Sequence, residues 1–178
     1  MNFAKRIEQF FLPPFVVVAG GLILLAYLNW DVQDSITILS SFLAYWIALL
    51  VFRDRTRDEN NIYASGSLLA LPVFVACLIF LNISGEVVFS GISMLSLLAV
   101  VYPIRLHWKI SAHSATAVAV ATILSLVDPT FLIFFLILPP IIWSRFKLRA
   151  HTLKQVIFGL LLGFAIPCIS YWLVGIGT

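Results

Sequence analysis

Charged side chains are scarce in this 178-residue sequence, of which Asp, Glu, Lys and Arg make up only 11%. A soluble domain carries roughly a quarter charged residues. Apolar residues account for 62% of the chain, and its mean hydropathy is +1.07. The shortage of charge therefore excludes an ordinary soluble protein and predicts a single integral membrane domain over residues 1–178. The net charge of +3 is too small to indicate a nucleic-acid partner.

Cysteine is equally scarce, with only two residues in the chain. Cys77 and Cys168 both lie in apolar blocks, where a thiol packs as a small hydrophobe. Their number and placement exclude the disulfide framework of a small secreted protein. The N-terminal segment also lacks a small-residue cleavage site after its charged residues, so we expect it to be retained.

Long uncharged blocks predict membrane-spanning helices. Apolar and polar residues do not alternate along these blocks as they do in the strands of a membrane β-barrel, so a backbone that crosses lipid here must be helical. A later apolar region, residues 108–143, is divided at Asp128-Pro129 because proline cannot continue the preceding helix. Four further blocks contain no Asp, Glu, Lys, Arg or His: residues 12–28, 36–52, 62–81 and 87–104.

The last apolar block, residues 156–176, is also long enough to span, and Gly159 and Gly163 give it a small-residue face for close helix packing. The segment 113–127 is short for a full span, which is tolerated when the polar turn before it lines a cavity inside the protein. Together the blocks predict an all-α, polytopic transmembrane bundle of about seven helices.

The few charges are sorted by sign between the two ends of this predicted bundle. Counting helices places the acidic residues Asp31, Asp34, Glu86 and Asp128 at one end. Since cytoplasmic loops carry the excess of Lys and Arg, we expect the N-terminus and the basic loops to be cytoplasmic. All 11 basic residues fall at that end: Lys5, Arg6, Arg53, Arg55, Arg57, Arg105, Lys109, Arg145, Lys147, Arg149 and Lys154.

Three polar loops share the basic end. The first, residues 52–61, is favoured as a hydrated loop whose arginines fix the topology. The second, residues 107–114, brings Lys109, Ser111 and His113 together at the start of a helix. There Ser111 can be an N-cap, and the helix N-terminus can also hold an anion.

The third loop, residues 144–155, contains Arg145, His151 and Gln155. The last two are four residues apart, so Gln155 is expected to hydrogen-bond the imidazole if the helix has already begun there.

Two histidines surrounded by cations suit phosphoryl transfer. Arg binds phosphate oxygens at two points, Lys supplies a point charge, and imidazole can attack phosphorus or protonate the leaving oxygen. The second and third loops lack the Cys, Asp and Glu of a metal cluster, and two histidines alone are a poor case for zinc. We therefore expect neither a metal nor another cofactor.

These motifs resemble the type 2 phosphatidic acid phosphatase (PAP2) superfamily, which carries K-X6-R-P, P-S-G-H and S-R-X5-H-X3-D. Ser144-Arg145, His151 and Gln155 follow the third motif, with Gln155 where the family has Asp. The segment 110–113 preserves Ser and His of the second motif. The segment 54–57 occupies the place of an Asp-Arg-x-x-Arg segment in a small bacterial branch, without the K-X6-R-P spacing. Strong resemblance covers about residues 105–165.

The resemblance implies a PAP2-like helical core in a bacterial cell membrane and a phosphatase acting on lipid phosphates. His151 would be the nucleophile and His113 the general acid, with Gln155 orienting the nucleophile. The candidate substrates are phosphatidic acid, phosphatidylglycerol phosphate and polyprenyl phosphates or diphosphates. The phosphate ligands implied are Arg145, Ser111 and Lys109, with Arg55 or Arg57 as the cation of the first motif.

A non-catalytic protein is the alternative, either a scaffold that binds lipid head groups or a small transporter. Ion-driven transport usually places ionisable residues within the membrane, and the predicted helices contain none between their ends. This pattern counts against a transporter more than against a scaffold.

Overall fold

The computed structural model of the protein describes residues 13–52 and 59–175, together with Ile7. The prediction of an all-α fold is confirmed, because this described part consists of helices and connecting turns without a strand. In chain order the helices are α1 (Pro13–Tyr27), α2 (Val32–Phe52), α3 (Glu59–Phe80), α4 (Gly85–His107), α5 (Ala112–Val127), a 3-10 helix (Pro129–Ile137), α6 (Leu138–Lys147) and α7 (Leu153–Val174).

Three of the described segments are long and apolar enough to cross a membrane: Gly85–His107, Pro129–Lys147 and Leu153–Val174. Their presence supports the prediction of a membrane protein. Shorter apolar stretches include Phe15–Tyr27, Ala70–Phe80 and Ala112–Val127. The 16 residues of α5 extend about 24 Å, less than the roughly 30 Å of a bilayer's hydrocarbon core.

The predicted break at Asp128-Pro129 is confirmed. Asp128 has an extended backbone, and its side chain accepts a hydrogen bond from the Thr130 N–H at 2.8 Å. The next nine residues form a 3-10 helix, which periodicity did not predict. Pro139 and Pro140 follow it and have no N–H to donate to carbonyls one turn earlier, so α-helical hydrogen bonding cannot continue across this junction.

Helix α5 lies at the centre of the bundle. Ten of its 16 residues are buried, and it packs against α1, α4, α6, α7 and the 3-10 helix. The predicted glycine face of α7 is confirmed, because Gly159 and Gly163 both lie against the α5 backbone. A Cβ at Gly159 would lie 2.7 Å from the Ser111 carbonyl oxygen. This close approach fixes α7 beside the start of α5, where the polar loops meet.

The acidic end of the bundle is held by side-chain bonds to the turn between α3 and α4. Buried Asp34 accepts a hydrogen bond from the Ser84 N–H at 2.8 Å, and the Gln33 side chain accepts one from the Asn82 N–H. These bonds connect the start of α2 to the start of α4 and thereby orient α4, whose last turn lies at the opposite, basic end.

Candidate functional site

Two polar loops meet at the basic end of the bundle, one leading into α5 and the other into α7. The Ser111 N–H donates to the Gln155 carbonyl oxygen at 3.3 Å. His151 Nδ1 lies 3.1 Å from the carbonyl oxygen of Lys109. The structure therefore brings together the second and third loops, which were predicted separately from the sequence.

Ser111 is the N-cap of α5, as its position predicts. Its side chain accepts a hydrogen bond from the Ser114 N–H at 3.4 Å, and its Oγ lies 2.9 Å from Ser114 Oγ. Both serines are buried, as is Ile110 just before them. The cap leaves other N–H groups of the first turn at the site, where the helix dipole favours an anion.

The hydrogen bond to Lys109 determines which nitrogen of His151 carries the proton. A carbonyl oxygen only accepts, so Nδ1 must be the protonated nitrogen of the neutral ring. The lone pair then lies on Nε2. This is the tautomer that a nucleophilic imidazole requires if Nε2 attacks.

Arg145 brings the second imidazole into the same site. It lies in the last turn of α6 with only 2% of its surface exposed, and its Nη1 is 3.5 Å from His113 Nδ1. Guanidinium only donates, so His113 Nδ1 accepts and the proton of the neutral ring lies on Nε2. In the described part of the chain that Nε2 is buried and has no hydrogen-bond partner.

Burial and neighbouring cations lower the pKa of both rings and thereby favour their neutral form. Burial is the main cause that lowers the pKa of His113 to about 3, and the charge of Arg145 adds to it. Burial also lowers the pKa of His151, while its hydrogen bond to the Lys109 carbonyl acts in the opposite direction. His113 is in the first turn of α5, and His151 precedes α7, so both lie outside the three candidate spans.

The expected hydrogen bond between Gln155 and His151 is corrected by the structure. The Gln155 side-chain oxygen accepts from the Thr152 N–H at 2.9 Å, and the Thr152 hydroxyl accepts from the Gln155 N–H at 3.4 Å. This reciprocal pair is a capping box for α7. Because α7 begins only at Leu153, His151 is not on a helical face with Gln155, and Lys109 orients it instead.

The positions of the other predicted phosphate ligands differ from one another. The side chain of Lys109 is exposed, while its backbone carbonyl forms the bond to His151. Ser111 takes part in the site mainly through its cap. Arg55 and Arg57 lie outside the described residues. Among the described residues, no group of three or more His, Cys, Asp or Glu side chains is arranged to hold a metal ion.

Sequence reasoning missed Arg105, which it assigned to topology alone. Arg105 lies in the last turn of α4, and its charge lowers the pKa of both His113 and His151. It also lines an apolar cavity beside Ala112, the first residue of α5. The sequence offered one signal for this role, because Arg105 lies only four residues before Lys109 of the second loop. That closeness places Arg105 at the site only because α4 packs against α5.

No protein-family model, characterised protein or solved structure matches this chain. The function of the protein is therefore inferred from the residues of its site.

Proposed function

We propose that the protein is a membrane lipid phosphatase with a PAP2-like core, which hydrolyses a phosphomonoester or a terminal phosphate through a phosphohistidine. The observation that carries the proposal is the pair of neutral imidazoles beside buried Arg145, with the lone pair of His151 on Nε2. The substrate classes are phosphatidic acid, phosphatidylglycerol phosphate and polyprenyl phosphates or diphosphates.

In the proposed first step, His151 Nε2 attacks phosphorus and the bond to the lipid oxygen breaks. Arg145 and the first N–H groups of α5 stabilise the charge on the nonbridging oxygens. The lipid alcohol leaves with a proton, and the phosphate stays on His151. Water then attacks the phosphohistidine, which releases inorganic phosphate and restores the neutral ring.

The leaving alcohol needs a proton, and His113 is the group we assign to supply it. Its pKa of about 3 keeps it neutral before substrate binds, so the proton must arrive with the substrate. A phosphate monoester loses its second proton near pH 6, and its monoanion can therefore bring one. The negative phosphate also offsets the charge of Arg145 and accepts the hydrogen bond of its Nη1. His113 Nδ1 is then free to accept the substrate's proton, while the Nε2–H of the same ring passes to the leaving oxygen.

The proposed orientation places this site on the cytoplasmic side of a bacterial cell membrane. The supporting observation is the basic character of the end that holds both imidazoles, where short loops follow α4 and α6. Short loops with such an excess of Lys and Arg are retained in the cytoplasm. Six described basic residues lie at this end: Arg105, Lys109, Arg145, Lys147, Arg149 and Lys154.

The test is phosphate release by purified protein in detergent and EDTA across a panel of lipid phosphates. We expect His151→Ala to reduce release to background and His113→Gln to lower kcat by about 10²–10⁴-fold, the usual contribution of general acid catalysis. His107→Gln is the matched control, because His107 is an exposed histidine at the end of α4.

Unchanged helical circular dichroism is required of each variant. Retained release in His151→Ala contradicts the phosphohistidine mechanism. If the unsubstituted protein releases phosphate from no lipid in the panel, the non-catalytic scaffold becomes the better interpretation.

A further inference from the structure

A long apolar cavity runs through the bundle beside the candidate site. Helices α1 to α5 line it, and its volume is about 260 Å³. Aliphatic and aromatic side chains form most of the wall, with single hydroxyl groups such as those of Ser41, Ser90 and Thr116 between them. An apolar wall of this kind suits a hydrocarbon and does not suit a sugar or a nucleotide.

The cavity is narrow for its length. On α4 its lining extends from Val87 to Arg105, a helical rise of about 27 Å, close to the roughly 30 Å of a bilayer's hydrocarbon core. Pockets for compact, drug-sized ligands have about 300–1,000 Å³. A smaller volume distributed along almost the whole length of a helix is a channel for one extended chain. We refer to it as the α1–α5 channel.

The two ends of the α1–α5 channel differ chemically. Leu24, Val87 and Leu124 line the channel at the acidic end of the bundle, where they pack together in a buried cluster. At the basic end its lining includes Arg105 and Ala112. Ala112 lies between the N-cap Ser111 and His113, so the channel ends on the loop that forms the candidate site.

We propose that the α1–α5 channel holds one hydrocarbon chain of the lipid phosphate, while Arg105 at its basic end binds the phosphate. The inference rests on the proposed function and deepens it, because it makes the chain a determinant of substrate specificity. A second chain of a diacyl lipid stays outside in the bilayer, whereas the chain of a polyprenyl phosphate occupies the channel alone.

Specificity follows from contact with the channel wall. The bilayer is as apolar as the channel, so moving a chain between them brings little hydrophobic gain. A chain that fills the channel gains dispersion contacts along α4 and α5, and a short chain leaves part of the wall without partner atoms. Long-chain lipid phosphates are therefore expected to react with a higher kcat/KM than short-chain ones.

Two nearby apolar residues of α4 provide a matched test. Leu98 lines the channel, whereas Val100 is exposed on the outer surface of the helix. We expect Leu98→Trp to lower kcat/KM for dioleoyl phosphatidic acid by at least about 10-fold, a typical effect of filling an apolar specificity pocket. Leu98→Trp should lower release from water-soluble butyl phosphate much less than release from the long-chain substrate, and Val100→Trp should change neither.

Arg105 is tested separately with the same two substrates. Arg105→Gln should raise KM for the long-chain and the short-chain phosphate alike, and Arg105→Lys should restore part of the loss, because the residue binds the group that both share. Full long-chain activity in Leu98→Trp, or equal losses in Leu98→Trp and Val100→Trp, overturns the assignment of the channel. An unchanged KM in Arg105→Gln overturns the assignment of Arg105.

A binding measurement separates failure of this inference from failure of the proposed function. A long-chain alkyl phosphonate with a photoreactive diazirine at the chain end cannot be hydrolysed, so it reports occupancy without turnover. We expect adducts on peptides containing Leu24, Val87 or Leu124, which line the channel at the acidic end of the bundle. Adducts confined to exposed outer positions such as Leu136 and Leu161 overturn the inference even if the protein is an active phosphatase.

Discussion

The lowered pKa of both His113 and His151 favours neutral imidazoles, but their hydrogen bonds place the proton on different sides of the ring. A carbonyl acceptor fixes the proton of His151 on Nδ1, and a guanidinium donor leaves the proton of His113 on Nε2. One ring therefore presents a lone pair from Nε2 and the other presents a donor from the same atom. The lone pair suits His151 as the proposed nucleophile, whereas the Nε2–H of His113 becomes acidic enough to protonate a leaving oxygen only after the ring has taken up a second proton.

The low pKa of His113 predicts that the folded protein loses stability in acid. Its pKa is about 3 in the folded protein, against an ordinary value of 6.5 that applies to the unfolded chain. Between these values the unfolded chain binds a proton that the folded protein excludes, so stability is complete above pH 6.5 and decreases as the pH falls toward about 3. The lowered pKa of His151 acts in the same direction.

Thermal unfolding in detergent checks this expectation. The midpoint should fall between about pH 7 and about pH 4.5, and His113→Gln should reduce the fall because it removes the group that takes up the proton. His107→Gln should retain the full decrease, since His107 is exposed. If the thermal midpoint of His113→Gln had the same pH dependence as that of the unsubstituted protein, burial of an uncharged His113 would not be the cause of the loss of stability in acid.

At the scale of helices, the sequence predicts most of the fold. Uncharged blocks predict the helices because each crossing must satisfy its own backbone, and Asp128-Pro129 predicts the end of α5 because proline cannot extend it. Helix ends are less predictable. Arg105 lies within α4 and not after it, and the polar residues 59–61 belong to α3. The apolar blocks alone do not predict these ends, because a helix can continue into polar sequence as long as its backbone hydrogen bonds continue.

The candidate site is predictable in its residue types and less so in its partners. His113, Arg145 and His151 do lie together, as the three loops at one end indicate. Gln155 was assigned from spacing along a helix, but a capping interaction decides its position. The role of Arg105 depends on how α4 packs against α5, which a linear pattern does not contain.

Close packing of α7 on α5 predicts a large effect from a very small substitution. A Cβ at Gly163 would collide with the backbone of Ala115, and a backbone cannot move aside as a side chain can. We expect Gly163→Ala to destabilise the protein by about 1–3 kcal/mol, the usual cost of overpacking. Separation of the helices should also weaken the contact between the His151 loop and the start of α5.

The measurement is the thermal midpoint in detergent together with phosphate release. Gly85→Ala is the control, because Gly85 is an exposed residue in the first turn of α4. A midpoint for Gly163→Ala equal to that of the control would mean that α7 does not need the close approach at Gly163.

At the scale of the whole molecule, the two ends of the bundle have different roles. The acidic end connects helices, since Asp34 bonds to the backbone of Ser84 and Asp128 to that of Thr130. The basic end holds both imidazoles and Arg145. The α1–α5 channel extends between these ends, so the arrangement suits a ligand with a polar head at the basic end and a chain along the helices.

The proposed orientation is tested by labelling single cysteines in intact cells after Cys77→Ala and Cys168→Ala. Lys147→Cys reports the basic end, where Lys147 is exposed in the last turn of α6, and Asn82→Cys reports the acidic end. Asn29, in the turn after α1 at the same end, is less suitable because its φ of 54° strains most substitutions.

A membrane-impermeant maleimide added outside should label Asn82→Cys and spare Lys147→Cys, because loops rich in Lys and Arg remain cytoplasmic. Permeabilised cells supply the control, in which both positions should react. Labelling of Lys147→Cys from outside intact cells would place the two imidazoles on the outer side of the membrane. The sorted charge would then reflect binding of the phosphate at the site, and the topology would require another determinant.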